Sequence, residues 1–396
     1  MLALLALSVL LVGRLQAGEQ QTESPSTPTL KGAVLIEAEQ FDDRGGWVED
    51  SQFMDQMGSP FLLAHGLGQP VIDATTRVRF PVAGKYDVWV RTRDWVATWN
   101  APGKPGRFQL LIDAKPLKTT FGTEGAKWHW QSGGDVTISS QQQTRGVEIA
   151  LHDLTGFEGR CDAVLFIPSA LSITPPSSGA ALKQFRKQVN PITAKIQDGG
   201  EFDLVVVGGG IAGITSAVSA ARSGLTVALI QDRPVLGGNN SSEVRVWLQG
   251  VRNRVPYPRI GDIVMELEHK VHAHNGPSNT GEIYEDDKKL NVVLGEKNIT
   301  LKLRHRANGV EMEGTRIAAV IAESTRTGER FRFRARLVAD CTGDGVVGAL
   351  AGADFEMSPK HMGRCNLWNV ANTGSPQPFP RCPWALDLTT KPFPGR

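Results

Sequence analysis

Residues Asp203–Asn240, DLVVVGGGIAGITSAVSAARSGLTVALIQDRPVLGGNN, constrain this chain more than any other stretch. They read as strand, glycine turn, helix, strand and second glycine turn. Leu204–Val207 form an unbroken apolar run, the pattern of a strand buried on both faces. Gly208, Gly210 and Gly213 then fill the positions of G-x-G-x-x-G, with Gly209, Ile211 and Ala212 between them. The first glycine allows a tight turn, the second lets backbone approach a pyrophosphate, and the third lets helix pack on strand. The free N–H groups of the helix N-terminus then face the phosphates.

The context strengthens the motif. Ile214, Ala217 and Ala221 share one helical face, Gly224 ends the helix, and Thr226–Ile230 supply the next parallel strand. Where an acidic residue would hold the adenosine ribose, the chain has Gln231, then Asp232 and Arg233. Either the glutamine serves as a neutral ligand or Asp232 takes over.

Pro234-Val-Leu-Gly237-Gly238 follows, and at this turn the chain resembles the two-dinucleotide-binding-domain flavoprotein superfamily, in which an LGG turn runs beside the flavin diphosphate. A second landmark is Ala335-Arg-Leu-Val-Ala-Asp-Cys-Thr-Gly-Asp-Gly345. Leu337–Ala339 read as a strand, and Thr342-Gly343-Asp344 match a signature by which FAD-binding families hold the ribityl chain, a role that would fall on Asp344. The segment from about residue 201 to 396 resembles the FAD-dependent oxidoreductase family. That resemblance implies FAD as cofactor, a small-molecule substrate whose CH–OH or CH–NH group passes a hydride to flavin N5, and a place for Asn239–Ser242 near the isoalloxazine ring. It also implies a small antiparallel layer across the parallel sheet, which the hairpin Val310–Gly314 with Arg316–Ile321 and the run Phe331–Arg336 would supply. No catalytic acid or base is identifiable, because the cofactor carries the electron chemistry. Few residues follow Asp344 before Arg396, so a C-terminally incomplete oxidoreductase domain is expected.

Ala33–Pro168 have a different, all-β pattern. Val34–Glu39, Thr76–Phe80, Tyr86–Arg91, Phe108–Asp113, Asp135–Ser139, Gly146–Leu151 and Asp162–Ile167 read as short strands between Gly, Pro and Asp turns, as in a sandwich or jelly roll. The opening I-E-A-E, the centre F-P-V-A-G-K-Y-D-V-W-V-R and the closing C-D-A-V-L-F resemble galactose-binding-like, carbohydrate-binding modules. That likeness implies a calcium site near Glu37 and Glu39 and sugar stacking on Trp95, Trp99, Trp128 and Trp130. The fold class is therefore multidomain: an all-β, jelly-roll-like sandwich over 33–168, followed by an α/β Rossmann-like FAD-binding domain over 201–396.

Met1–Ala17 is a short apolar segment ending in a small residue, as in a signal peptide of an exported protein, and residues 18–32 and 169–200 read as linkers, the second with a short helix at Leu182–Val189. A net charge of +2 gives no electrostatic case for nucleic acid, and no stable membrane span is expected. Ile260, Ile263, Val264, Leu267 and Val271 suggest an amphipathic helix carrying His269, His272 and His274, but no carboxylate pattern completes a metal site, so none is assigned. Glu285–Lys289 reads as a solvated turn. A rival reading is a carbohydrate- or surface-binding protein with an incomplete or structural flavin domain. A nicotinamide-binding enzyme is disfavoured by the LGG turn and Asp344.

Overall fold

The computed structural model describes residues 30–190, 195–250, 252–271, 276, 278–357, 372–376, 381–385, 387 and 389–390. The expected signal segment, most of the first linker, His272 and His274 lie outside them.

The N-terminal strands are β1 (Val34–Glu37), β2 (Val48–Asp50), β3 (Phe61–His65), β4 (Ala74–Val78), β5 (Gly84–Thr92), β6 (Phe108–Ile112), β7 (Lys115–Pro116), β8 (His129–Ile138), β9 (Val147–Asp153), β10 (Phe157–Cys161) and β11 (Ala163–Pro168). They form three antiparallel sheets, in the orders β1-β11-β5-β8, β10-β3-β2 and β4-β9-β6-β7. Alternation explains the packing: Tyr86, Val88 and Val90 of β5 point into a core shared with Leu62, Phe108, Leu110, Ile149 and Phe166. Helices α1 (Met54–Met57) and α2 (Ser140–Arg145) interrupt the strands, the second opened by a Ser139–Gln142 capping box. The outer face of the first sheet is also apolar, and Leu182 and Phe185 of helix α3 (Gly179–Val189) cover Trp130, Leu165 and Ile167 there. The expected linker is therefore partly structured, because its apolar residues at helical spacing have a sheet face to bury.

The C-terminal half is built on one sheet. Strands β12 (Ile196–Val207), β13 (Val227–Ile230), β14 (Ile299–Lys302), β15 (His305–Glu313), β16 (Arg316–Ser324) and β17 (Arg330–Asp340) stand in the order β14-β13-β12-β17-β16-β15. Helices α4 (Ile211–Arg222), α5 (Asp262–Leu267) and α6 (Asp286–Leu294) lie on the face carrying Val206 and Leu229, while Val205, Val207, Ala228 and Ile230 meet Ala307, Val320 and Phe333 on the other. Helix α7 (Val346–Leu350) follows the last strand.

Three local expectations are corrected. Phe331–Arg336 and Leu337–Ala339 are one strand, β17, which pairs antiparallel with β16 through Arg334 and parallel with β12 as far as Asp340, so the hairpin extends the parallel sheet instead of crossing it. The helix expected to carry the histidines stops at Leu267; Ile260 and Val271 are exposed, and the buried His269 ring meets the Val271 carbonyl at 2.7 Å. Lys289 is not in a solvated turn: it occupies the buried face of α6 with Val293, and its ammonium donates to the Tyr284 carbonyl.

Candidate functional site

Four parallel strands end level with one another. Val207, Ile230, Lys302 and Asp340 are successive register partners, so the loops that follow them open on a common edge, where α/β sheets place ligands. There the chain encloses a cleft of about 760 Å³ lined by Gly208–Ala212, Gln231–Arg233, Gly237–Asn240, Val246–Gln249, His305–Ala307 and Cys341–Asp344. Gly208–Ala212, Gln231–Arg233, Gly237–Asn240 and Thr342–Asp344 all line this one cleft, whereas Gly213 lies behind the loop and Pro234–Leu236, Ser241 and Ser242 are not part of its lining.

The glycines have separate physical reasons. Gly208 has φ +102°, and a Cβ there would stand 2.3 Å from the Cys341 carbonyl oxygen. A Cβ on Gly213 would be 1.7 Å from the Gly208 oxygen, so this position sets the helix-to-loop approach. Gly210 differs: its nearest obstacle is Gly238 Cα at 4.0 Å, and it heads α4 as N-cap. The second glycine turn is joined to the first, since Gly237 N–H donates to the Gly209 carbonyl at 2.8 Å. Leu236 is buried in the helix-side core, and the Lys289 stem passes beneath Gly237.

The end of β13 distinguishes Gln231 from Asp232. Gln231 is buried; its Oε1 accepts from Gly209 N–H at 2.7 Å, and its Nε2 donates to the Val235 carbonyl at 3.2 Å. Both ends of the amide therefore brace the glycine loops. Asp232 remains partly exposed in the cleft, 3.7 Å from Arg306. Arg233 faces Glu243 at 3.4 Å, and burial pushes the Glu243 carboxyl up despite that partner.

Thr342-Gly343-Asp344 is shaped by a residue that the motif reading passed over. One Asp340 oxygen accepts from the Thr342 N–H and hydroxyl at 3.1 and 2.6 Å, and the other from Val347 and Gly348 N–H at 2.8 and 3.0 Å. Partial burial opposes its ionisation, but these donors outweigh it and hold the carboxyl below its usual range. Asp344 itself is exposed at the cleft. The available signal was an aspartate closing the strand immediately before the turn. Asn240 is buried, with Nδ2 donating to the Val246 carbonyl at 3.0 Å, whereas its Oδ1 has no partner.

The acids of the N-terminal opening do not hold a cation. Glu37 pairs with Arg186 of α3, and Asp162 pairs with Arg91 at 2.8 Å and Arg186 at 3.3 Å. Burial drives the Glu37 and Glu39 carboxyls upward, Glu39 strongly, and two guanidinium groups take the place expected for calcium. Among the described residues no cluster of His, Cys, Asp and Glu could hold a metal ion. Trp128 and Trp130 are buried, the first edge-on to Phe61 at 5.0 Å, so they are not available for sugar stacking. Trp99 is 67% exposed and packs edge-on against Trp95. Among the described residues no helix is long and apolar enough to cross a membrane.

Residues 203–373 match the family model described as FAD dependent oxidoreductase. The chain is similar to digeranylgeranylglycerophospholipid reductase 1 of Methanococcoides burtonii, 27% identical over 187 residues, 43% of this chain and 45% of the reductase. Over 73 residues it is 38% identical to glycerol-3-phosphate dehydrogenase 1 of Mycobacterium bovis, 18% of this chain and 14% of the dehydrogenase. The solved L-proline dehydrogenase from P. horikoshii overlaps 37% of this chain and 23% of its own, at 24% identity and a TM-score of 0.23. The chain thus spans less than half the length of each of these relatives. Residues 203–373 are thus similar to the FAD dependent oxidoreductase family, whose cofactor is FAD.

Proposed function

We propose that this protein is an FAD-dependent oxidoreductase acting on a small molecule, with the cofactor held in the cleft at the ends of β12, β13 and β17. The observation that carries the reading is Gly210: it stands at the head of α4 with open space where a side chain would project, beside the N–H groups of the first helical turn. The donor set agrees with a dinucleotide. In this reading Gly208–Gly213 receive the diphosphate, Asp232 takes the adenosine ribose while Gln231 braces the loop, and Thr342-Gly343-Asp344 take the ribityl-diphosphate stretch. The buried, unpartnered Asn240 Oδ1 supplies an acceptor for an N–H of the cofactor.

FAD, when bound, supplies two-electron chemistry by accepting a hydride from a substrate CH–OH or CH–NH group. The chain's own residues bind and orient; none is assigned as acid or base. A sugar-derived substrate and export guided by Met1–Ala17 belong to the same proposal, as does a jelly-roll-like sandwich for residues 33–168. The test is the colour and absorbance of the purified protein. Flavin bands in the preparation, or after reconstitution with FAD, are expected. A colourless protein that takes up no FAD overturns the reading.

One observation favours a second activity of the N-terminal sheets: the exposed Trp99, edge-on to Trp95, offers an aromatic face to a glycan. Retention on glycan affinity gels that Trp99→Ala abolishes would support it, and passage of the unaltered protein would remove it.

A further inference from the structure

The cofactor cleft is not walled by the C-terminal half alone. Ser51 and Gln52, in the turn after β2, line it together with Gly208–Ala212 and Asp232. Glu49 in β2 holds that turn in place. Its Oε2 accepts from Arg44 at 2.9 Å and from Arg304 at 3.2 Å, and its Oε1 accepts from the Thr325 hydroxyl at 3.3 Å.

These contacts identify which end of the cleft is involved. Arg304 lies in the tight turn between β14 and β15, with φ +57°, a left-handed conformation uncommon for any residue but glycine. Its N–H donates to the Arg233 carbonyl at 3.2 Å, and its own carbonyl accepts from Thr325 N–H at 2.8 Å. Glu49 is therefore one residue's backbone away from the segment Asp232-Arg233. Asp50 fixes the intervening turn by accepting from Gln52 N–H at 2.7 Å.

We infer that the N-terminal sheets complete the dinucleotide site: the Ser51–Gln52 turn forms a wall of the adenosine end, and Glu49 is the positioning residue that locks it there. The inference rests on the FAD reading and gives the β half a role in cofactor specificity that a separately tethered sugar-binding module would not have. A ligand with an adenosine diphosphate moiety is the class it recognises.

The test uses the full chain, stripped of flavin, titrated with FAD and separately with ADP. Glu49→Ala is expected to raise both dissociation constants on the order of tenfold, as loss of a charged hydrogen-bond anchor should. Glu49→Gln, which keeps an acceptor, should recover part of the loss. Because Glu49→Ala removes an interface contact and can impair folding, Ser51→Trp serves as a second variant: it leaves the anchor intact and intrudes on the adenosine end, so FAD and ADP should both weaken while the melting temperature without ligand is unchanged. Folded variants with unaltered constants for both ligands overturn the inference and leave the FAD reading standing. An unaltered chain that binds neither ligand overturns both.

Discussion

Val207 and Asp340 are register partners at the ends of two parallel strands, and the Cys341 N–H that follows Asp340 donates to the Val207 carbonyl at 2.8 Å. The glycine loop and the Thr-Gly-Asp loop therefore leave the sheet at the same height. Gly208 is glycine partly because the Cys341 carbonyl occupies the place of a side chain.

The glycine cradle separates folding from binding. Gly213→Ala forces a methyl into the Gly208 carbonyl, and overpacking of this kind should destabilise the chain by about 1–3 kcal/mol or more. Gly210→Val meets no such obstacle, so it should melt close to the parent and retain no flavin. Denaturation curves with flavin absorbance measured on both variants check the pair; full flavin occupancy in Gly210→Val would contradict the cradle.

Gln231 and Asp232 should fail differently. Gln231→Ala leaves the buried Gly209 N–H without its acceptor, a loss of about 1–3 kcal/mol that appears in the absence of cofactor. Asp232→Ala should leave apoprotein stability nearly unchanged and weaken FAD by about 1.5–3 kcal/mol, the value of a hydrogen bond to a charged group. Thermal melts with and without FAD distinguish the two.

Asp340 gathers the Thr342, Val347 and Gly348 donors, so Asp340→Ala should loosen the loop and the start of α7, lowering stability by about 1–2 kcal/mol. Because the folded carboxyl titrates below its unfolded value, its contribution is present above the usual aspartate range and is lost as pH falls through the lowered value. Acid titration of stability should therefore be less steep in the variant.

Glu323 carries the opposite sign. Burial between the two halves pushes its carboxyl up to about 7, although Asn308 donates to it at 2.8 Å and Arg330 stands 3.8 Å away. A raised folded value means that its contribution is full at acid pH and is lost as pH rises from the usual glutamate range towards about 7. Glu323→Gln should flatten that decline in urea-denaturation stability between pH 5 and 8. An unchanged slope would show that the group is already ionised in the fold.

Arg186 should be indispensable where a bound cation is not. Arg186→Met leaves Glu37, Glu39 and Asp162 with Arg91 alone, and breaking a buried pair costs about 3–5 kcal/mol. Chelation with EDTA should leave the melting temperature of the unaltered protein where it was.

The cleft at the strand ends was legible because its requirements are local: glycines at fixed spacing, an apolar strand before them and an aspartate after a threonine and glycine. Gln231 was ambiguous for the same reason. Its type announced hydrogen bonding, but only the fold reveals Gly209 and Val235 on either side of it. Strands with alternation, such as β5 and β9, were visible, whereas β10, FEGRC, has a glycine and charges and exists because β3 pairs with it. Glu37, Arg91, Asp162 and Arg186 are far apart in sequence, and no spacing rule connects an arginine in an expected linker to the opening strand. The division of Phe331–Ala339 into two strands failed because β17 runs on past the end of β16, held by β12 along its whole length.

That continuity has a mechanical side. Arg330, at the start of β17, lines a cavity between the two halves of the chain, and Asp340, at its end, organises the Thr342–Asp344 loop. The strand spans about 33 Å at roughly 3.3 Å per residue. It pairs with β12 from end to end and with β16 as far as Arg334. A shift imposed where the β half meets Arg330 and a shift imposed at the Thr342 turn are loads on the two ends of one beam.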